Sequence, residues 1–274
     1  MALYRRIALN ATRAQVWDAI ATGPGLSAWF VRYELEPRKG GLARGDFGGG
    51  TFSESRVLAY EPGRRIVLGG ERVAHDVGAE PEEHTDSLLE FWITSGDDRL
   101  KRRSHTVLHF RQRGFPEEDQ SVYEAGWTVY FHTLAEYFNH FGAKPAVTTI
   151  ALVLPPLDRE EAFASVVRGL GVDSGFDVGD KMQITPDGQE TITGVVDLRM
   201  SGPPLEALGI RTDTGFLRAT SNEACGVMLN RYTYVVDPAP LMARNREENA
   251  SWQGWLEQQL QRVSFAPREM EAAG

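Results

Sequence analysis

The stretch QSVYEAGWTVYFHTLAEYFNHF, residues 120–141, decides how the rest of the chain is read. Its large apolar residues fall at Tyr123, Trp127, Phe131, Leu134, Phe138 and Phe141. Steps of three and four place them on one stripe of an α-helix, which Tyr130 and Tyr137 widen. Glu124, Thr128, His132, Glu136 and Asn139 fall elsewhere around it. So heavy an aromatic stripe needs a large apolar partner. The segments before it read as strands, so the expected partner is a curved β-sheet, with room between sheet and helix for an apolar ligand.

Working outward, Tyr4 to Asn10 alternates and reads as an opening strand. Thr12 reads as an N-cap for a short helix bearing Val16, Trp17 and Ile20. Gly23-Pro24-Gly25 breaks it, and Leu26 to Phe30 reads as a second short helix. Strands are expected at Val31–Glu36, Phe52–Tyr60, Arg65–Leu68, Thr85–Thr94 and Leu100–Arg113. Pro37–Gly50 reads as a Gly-rich turn or loop, and Gly69–Asp86 as an acidic, flexible lid or edge loop. The order is one strand, two short helices, antiparallel strands and a long helix, an α+β layer arrangement.

The motifs that carry a family likeness are the helix Ala14–Ile20, the Trp29-Phe30 pair, and Glu61-Pro62-Gly63-Arg64-Arg65-Ile66-Val67. His105 to Phe115, ending Gly114-Phe115-Pro116, and Gly126-Trp127 complete the set. In this order they resemble the START-like (SRPBCC) helix-grip superfamily. Within it they look most like bacterial homologues of the C-terminal domain of the Hsp90 ATPase activator. The resemblance covers residues 1–142 and implies a curved antiparallel sheet wrapped on a long C-terminal helix. The Gly69–Asp86 loop is longer than that pattern.

After Phe141 the order recurs. Residues 142–145 read as a linker, Thr148–Leu154 as a strand, and the segment from Leu157-Asp158 as a helix. Strand-like pieces follow at Lys181–Ile184, Glu190–Met200, Gly215–Ala219 and Gly226–Val236, then a helix at Asn245–Val263. Ser251-Trp252 stands where Gly126-Trp127 stands in the first half. We expect a helix-grip domain at 1–142, a diverged second copy at 147–265, and a tail at 266–274.

Composition narrows the function. With 274 residues and a formal net charge of -9, the chain is globular and argues against general nucleic-acid binding, which needs clustered Lys and Arg. Lys101-Arg102-Arg103 is read as a solvated hairpin end. The single cysteine, Cys225, cannot form an internal disulfide or a Cys-rich zinc site, and fits a reduced, cytoplasmic setting. There is no signal-peptide pattern and no membrane span. His75 and His84 in the acidic loop lack the rigid geometry of a metal site, so no metal and no cofactor is expected. Gly45–Gly50 lacks the Lys-Ser or Lys-Thr of a phosphate loop. His105 and His109 are placed on the sheet's outer face with Trp92, a face expected to pack on the second domain or on a partner.

What remains is a cavity with a few polar anchors. Its candidates are Trp29, Phe52, Arg56, Phe91, Phe110, Gln112, Tyr123, Trp127 and Phe131. The expected function is binding of a hydrophobic small molecule without evident catalytic machinery; a homodimer stays open. The resemblance implies two alternatives. One is an aromatase/cyclase-type lyase of polyketide biosynthesis, with Arg56, Tyr60, Gln112 and Tyr123 moving protons. The other is a co-chaperone-like protein-interaction role, although no counterpart of the activator's N-terminal domain is seen.

Overall fold

The computed structural model describes residues 2–74, 82–95, 106–154, 158–172, 175–222, 226–261 and 263. His75, Lys101-Arg102-Arg103, His105, Cys225 and the 266–274 tail lie outside them.

The first unit opens with β1 (Ala2–Leu9), α1 (Arg13–Ala21) and α2 (Gly23–Ser27), then runs through β2 (Arg32–Leu35), β3 (Leu42–Gly48), β4 (Thr51–Glu61), β5 (Arg65–Ala74), β6 (Glu82–Ser95) and β7 (Thr106–Arg113) to α3 (Gln120–His140). Thr12 starts α1 through a capping box. Its hydroxyl accepts the Gln15 N–H, and the Gln15 side chain accepts the Thr12 N–H at 2.9 Å. The strands form one antiparallel sheet in the order β1-β7-β6-β5-β4-β3-β2. Only its first strand is out of sequence, paired with its last. The inner face meets α1, α2 and α3 around Trp29, Phe91, Phe110 and Trp127.

The second unit repeats this plan. β8 (Ala146–Val153), α4 (Arg159–Gly169), β9 (Lys181–Ile184), β10 (Ile192–Met200), β11 (Glu206–Thr212), β12 (Gly215–Asn222), β13 (Gly226–Tyr234) and α5 (Ala239–Leu260) follow in turn. Its sheet runs β8-β13-β12-β11-β10-β9, again with the first strand beside the last. The chain is thus an α+β protein of two helix-grip units. The second core is more aliphatic, with Trp252 and Trp255 of α5 packed on Val166, Leu208, Leu217 and Leu229. Three amides on α5 reach the backbone of β8. Asn249 accepts the Ile150 N–H at 2.9 Å. Gln253 accepts the Leu152 N–H and donates to the Leu152 carbonyl, both at 2.9 Å. Asn245 donates to the Thr148 carbonyl at 3.4 Å.

Several expectations need correction. Half of the Gly-rich 37–50 segment is strand β3, and its tip is packed. Gly49 has φ +57, and a Cβ there would lie 2.6 Å from the Leu152 carbonyl oxygen. Glycine is present because β8 comes this close. Of the acidic 69–86 stretch, 69–74 end β5 and 82–86 begin β6, while 75–81 lie outside the described residues. β11 went unread, since Gly209 and an N-terminal Glu206 break the strand pattern. At Gly209 a Cβ would meet Arg218 Nη1 and Leu198 Cβ, both at 2.7 Å. α5 starts at Ala239, ahead of Asn245.

The largest correction concerns α3, which was read as having one apolar stripe. A second stripe, Ala125 and Val129, packs on Leu198, Leu205 and Ala207 of the second unit. His132, expected on a polar side, faces the same way, as does Thr133, which is fully buried. One helix is therefore clasped from both sides.

Candidate functional site

The candidate site is the layer between the first sheet and α3. Trp29 comes from the turn just after α2, Phe91 from β6, Phe110 and Gln112 from β7, and Trp127 and Phe131 from α3. All six are buried. Period two puts Phe110 and Gln112 on one face of β7, and the helical repeat aligns Trp127 with Phe131. The rings interlock. Trp127 lies 4.3 Å from Phe110 and 5.2 Å from Phe131, centroid to centroid, and Trp29 stacks on Phe131 at 5.8 Å. The Trp127 indole N–H donates to Gln112 Oε1 at 2.5 Å. That bond satisfies a donor that would otherwise be stranded among rings.

Three other candidates lie elsewhere. Val57 belongs to the core, so by alternation Phe52 and Arg56 occupy the opposite face of β4. Phe52 sits there under the Arg44 guanidinium, 4.2 Å from its ring centre, and Arg56 is exposed. Tyr123 stacks on Phe115 at 4.8 Å near the start of α3 and is 37% exposed. Tyr60 packs at a tilt against Trp17 at 5.4 Å. The proposed proton carriers Arg56, Tyr60, Gln112 and Tyr123 are therefore not brought together.

Two residues left off the candidate list belong to the layer. Phe30 stacks on Trp127 at 5.2 Å and meets Tyr130 edge-on at 4.6 Å. Phe30 belongs to the Trp-Phe pair, and Tyr130 widens the α3 stripe; both signals were in the sequence. These two rings form the margin of the layer, where it approaches the second unit.

The second unit closes that margin. Thr148 Oγ donates to the Ser27 carbonyl at 2.5 Å, the Tyr234 hydroxyl to Ala28 at 2.7 Å, and the Tyr232 hydroxyl to Phe30 at 2.6 Å. Burial holds both phenols well above their usual range, so they stay protonated donors. Tyr234 also packs on Phe141 at 4.4 Å and Tyr137 at 5.0 Å. Deeper in the seam, Arg218 donates to Asp197 at 2.8 and 2.7 Å and to Thr133 Oγ at 3.0 Å. His132 Nε2 stands 3.5 Å from the same carboxylate. Burial pushes the Asp197 pKa up, but His132 and Arg218 outweigh it and the net shift is downward.

The second unit has a polar depression of about 230 Å³ at one end of its sheet, lined by Thr212, Leu217, Arg231 and Thr233 among others. Arg231 is held by Glu248 at 2.7 Å. Among the described residues there is no group of three or more His, Cys, Asp or Glu fit to hold a metal, and no helix is long and apolar enough to cross a membrane.

Comparison with known proteins gives three results. Residues 10–139 match the family described as Activator of Hsp90 ATPase homolog 1-like protein. No curated protein matches the sequence. Among solved structures, DynU16, a protein of the dynemicin biosynthetic locus, is similar over 93% of this chain and 96% of its own, at 17% identity and a TM-score of 0.40. MLL2253 from Mesorhizobium loti is similar over 51% of this chain and 97% of its own, at 19% identity and a TM-score of 0.42. The Aha1 dimer from Colwellia psychrerythraea is similar over 50% and 95%, at 18% identity and a TM-score of 0.39.

Proposed function

Residues 10–139 belong to the activator of Hsp90 ATPase homolog 1-like family, and from that premise we propose that the first unit binds a flat, hydrophobic small molecule within its aromatic layer. The observation that carries this reading is the layer itself: Trp29, Phe30, Phe91, Phe110, Trp127, Tyr130 and Phe131 form one continuous set of ring contacts. Ring pairs contribute only about 0.5–1.5 kcal/mol each beyond area burial. A flat guest enters by displacing rings of this packed layer, and its ring–guest contacts then replace the ring–ring contacts it breaks. Phe30 and Tyr130 at the margin are the rings to move, and Gln112 is a polar group beside the guest. The dispersal of Arg56, Tyr60 and Tyr123 favours binding without chemistry over the cyclase reading.

The test is thermal unfolding of the full chain with naphthalene and 1-naphthol as probes. A guest at 100 times its Kd stabilises by about 2.7 kcal/mol, which for a chain of this size raises Tm by roughly 5 °C. Trp127→Leu removes most of that rise. No rise with either probe at saturation in water, or a rise unchanged in Trp127→Leu, rejects the reading.

A further inference from the structure

The solvent face of the first sheet carries a second set of aromatic and charged groups, on the side opposite α3 and the second unit. On β6, Trp92 stands between Arg65 of β5 and His109 of β7 in the strand register. Its indole and the His109 imidazole are parallel within 8° at 5.0 Å. The imidazole is fixed at both nitrogens, by the Tyr4 hydroxyl on Nδ1 at 2.6 Å and by the Thr94 hydroxyl on Nε2 at 2.9 Å. A ring tied at both ends cannot flip freely, so the imidazole holds the indole in one orientation. Such order on a sheet's wet face is more than solubility requires.

Beside the indole lies a depression of about 280 Å³, lined by Arg64, Arg65, Glu90, Trp92, Ile93 and Thr94. Glu90 has both oxygens engaged, Oε1 by Arg65 Nε at 2.6 Å and Oε2 by Arg111 Nη2 at 2.5 Å. Arg64 and Arg65 share Glu61 at 2.9 and 3.3 Å. Three arginines (Arg64, Arg65, Arg111) thus meet two carboxylates (Glu61, Glu90), a local positive surplus on a chain of net charge -9. The Arg64 side chain is 72% exposed, and its ion pair with Glu61 is a surface one that an incoming anion can replace.

We propose that this depression binds a small aromatic anion. The ring lies against the Trp92 indole, and the carboxylate or phosphate is held by the Arg64 and Arg65 guanidinium groups, with the Thr94 hydroxyl at the rim. Arginine suits this role because its planar fork pairs with both anion types and stacks on rings. The volume is at the small end of ligand sites, which sets the class at single-ring acids. The site shares no residue with the aromatic layer under α3, so it stands or fails independently of the function proposed above.

The experiment is a ¹H–¹⁵N titration of the full chain, reading the Trp92 and Trp127 indole N–H signals, each assigned by its loss in the corresponding Trp→Phe variant. Probes are benzoate, phenyl phosphate, the neutral isostere benzamide, and inorganic phosphate. Benzoate or phenyl phosphate is expected to shift the Trp92 signal saturably and leave Trp127 unmoved. Benzamide and inorganic phosphate each bind about tenfold more weakly or worse, and Arg64→Gln, an exposed change that leaves the core intact, weakens the aromatic anions about tenfold. Four results overturn the proposal: no saturable shift, a shift at Trp127 instead, benzamide or inorganic phosphate matching the aromatic anions, or no loss in Arg64→Gln.

Discussion

Asp197→Ala tests the buried ion pair that the second unit presents to α3. The Arg218 and Asp197 side chains are 2% and 6% exposed, and two bonds of 2.8 and 2.7 Å join them. Removing the carboxylate leaves a buried guanidinium with only Thr133 Oγ, the Leu217 carbonyl and the face of Phe216 at 4.3 Å. Breaking a buried pair in this way costs about 3–5 kcal/mol, because one charge is left uncompensated. Domains are typically stable by about 5–15 kcal/mol, so the loss is a large fraction of the total. The double variant Asp197→Leu with Arg218→Met removes both charges and should lie near the parent or above it. Urea unfolding, followed by indole fluorescence and far-UV circular dichroism, measures both; in the parent the two probes should coincide, because α3 is common to both cores. The pair also sets an acid limit. The folded Asp197 pKa lies below its unfolded value near 4. Its contribution is therefore full above about pH 4 and is lost as pH falls through the lower folded value. A loss below about 1 kcal/mol in Asp197→Ala, or a double variant as unstable as the two single losses summed, refutes the argument.

Two further outcomes follow from the structure. Burial, and secondarily Arg6, lowers the His109 pKa, so the unfolded chain takes up this proton first. That contribution is complete above about pH 6.5 and declines as pH falls below it; the stability–pH slope of His109→Asn measured between pH 5 and 7.5 should be flatter than the parent's. Gly49→Ala puts a methyl 2.6 Å from the Leu152 carbonyl oxygen at φ +57. It should destabilise by about 1–3 kcal/mol, read as a lower urea midpoint at unchanged slope.

Much of the first unit was legible because its signals are local. Trp127, Phe131, Leu134 and Phe138 recur at the helical period, and Thr12 with Gln15 forms a cap that four residues suffice to show. The candidate layer was legible where a strand's inner face was anchored, as on β7, where Phe110 and Gln112 share the helix side. It was misjudged on β4, where Phe52 and Arg56 follow a period of two that fits either face. Only the position of Val57 in the core fixes which face is inward, and that is a fact about three dimensions. The second grip on α3 left no local mark. Ala125, Val129 and Thr133 are small, and a helix can carry such residues facing water. What gives them meaning is the distant pair β10 and β11, the first of which starts only at Ile192. Gly48-Gly49-Gly50 shows the same limit. Glycine is equally suited to a slack hairpin and to a tip pressed against β8, and the sequence reads identically in both cases.

β8 is the outermost strand of its sheet, so one of its sides pairs with no further strand of that sheet. Strands left so are templates on which foreign chains add and sheets grow into aggregates. Asn245, Asn249 and Gln253, one turn apart, act there as a counterfeit neighbour, offering amide groups where another strand's peptides would otherwise dock. At the far border β9 is only four residues long, too short a foothold. The second sheet is thus terminated chemically on one flank and by brevity on the other.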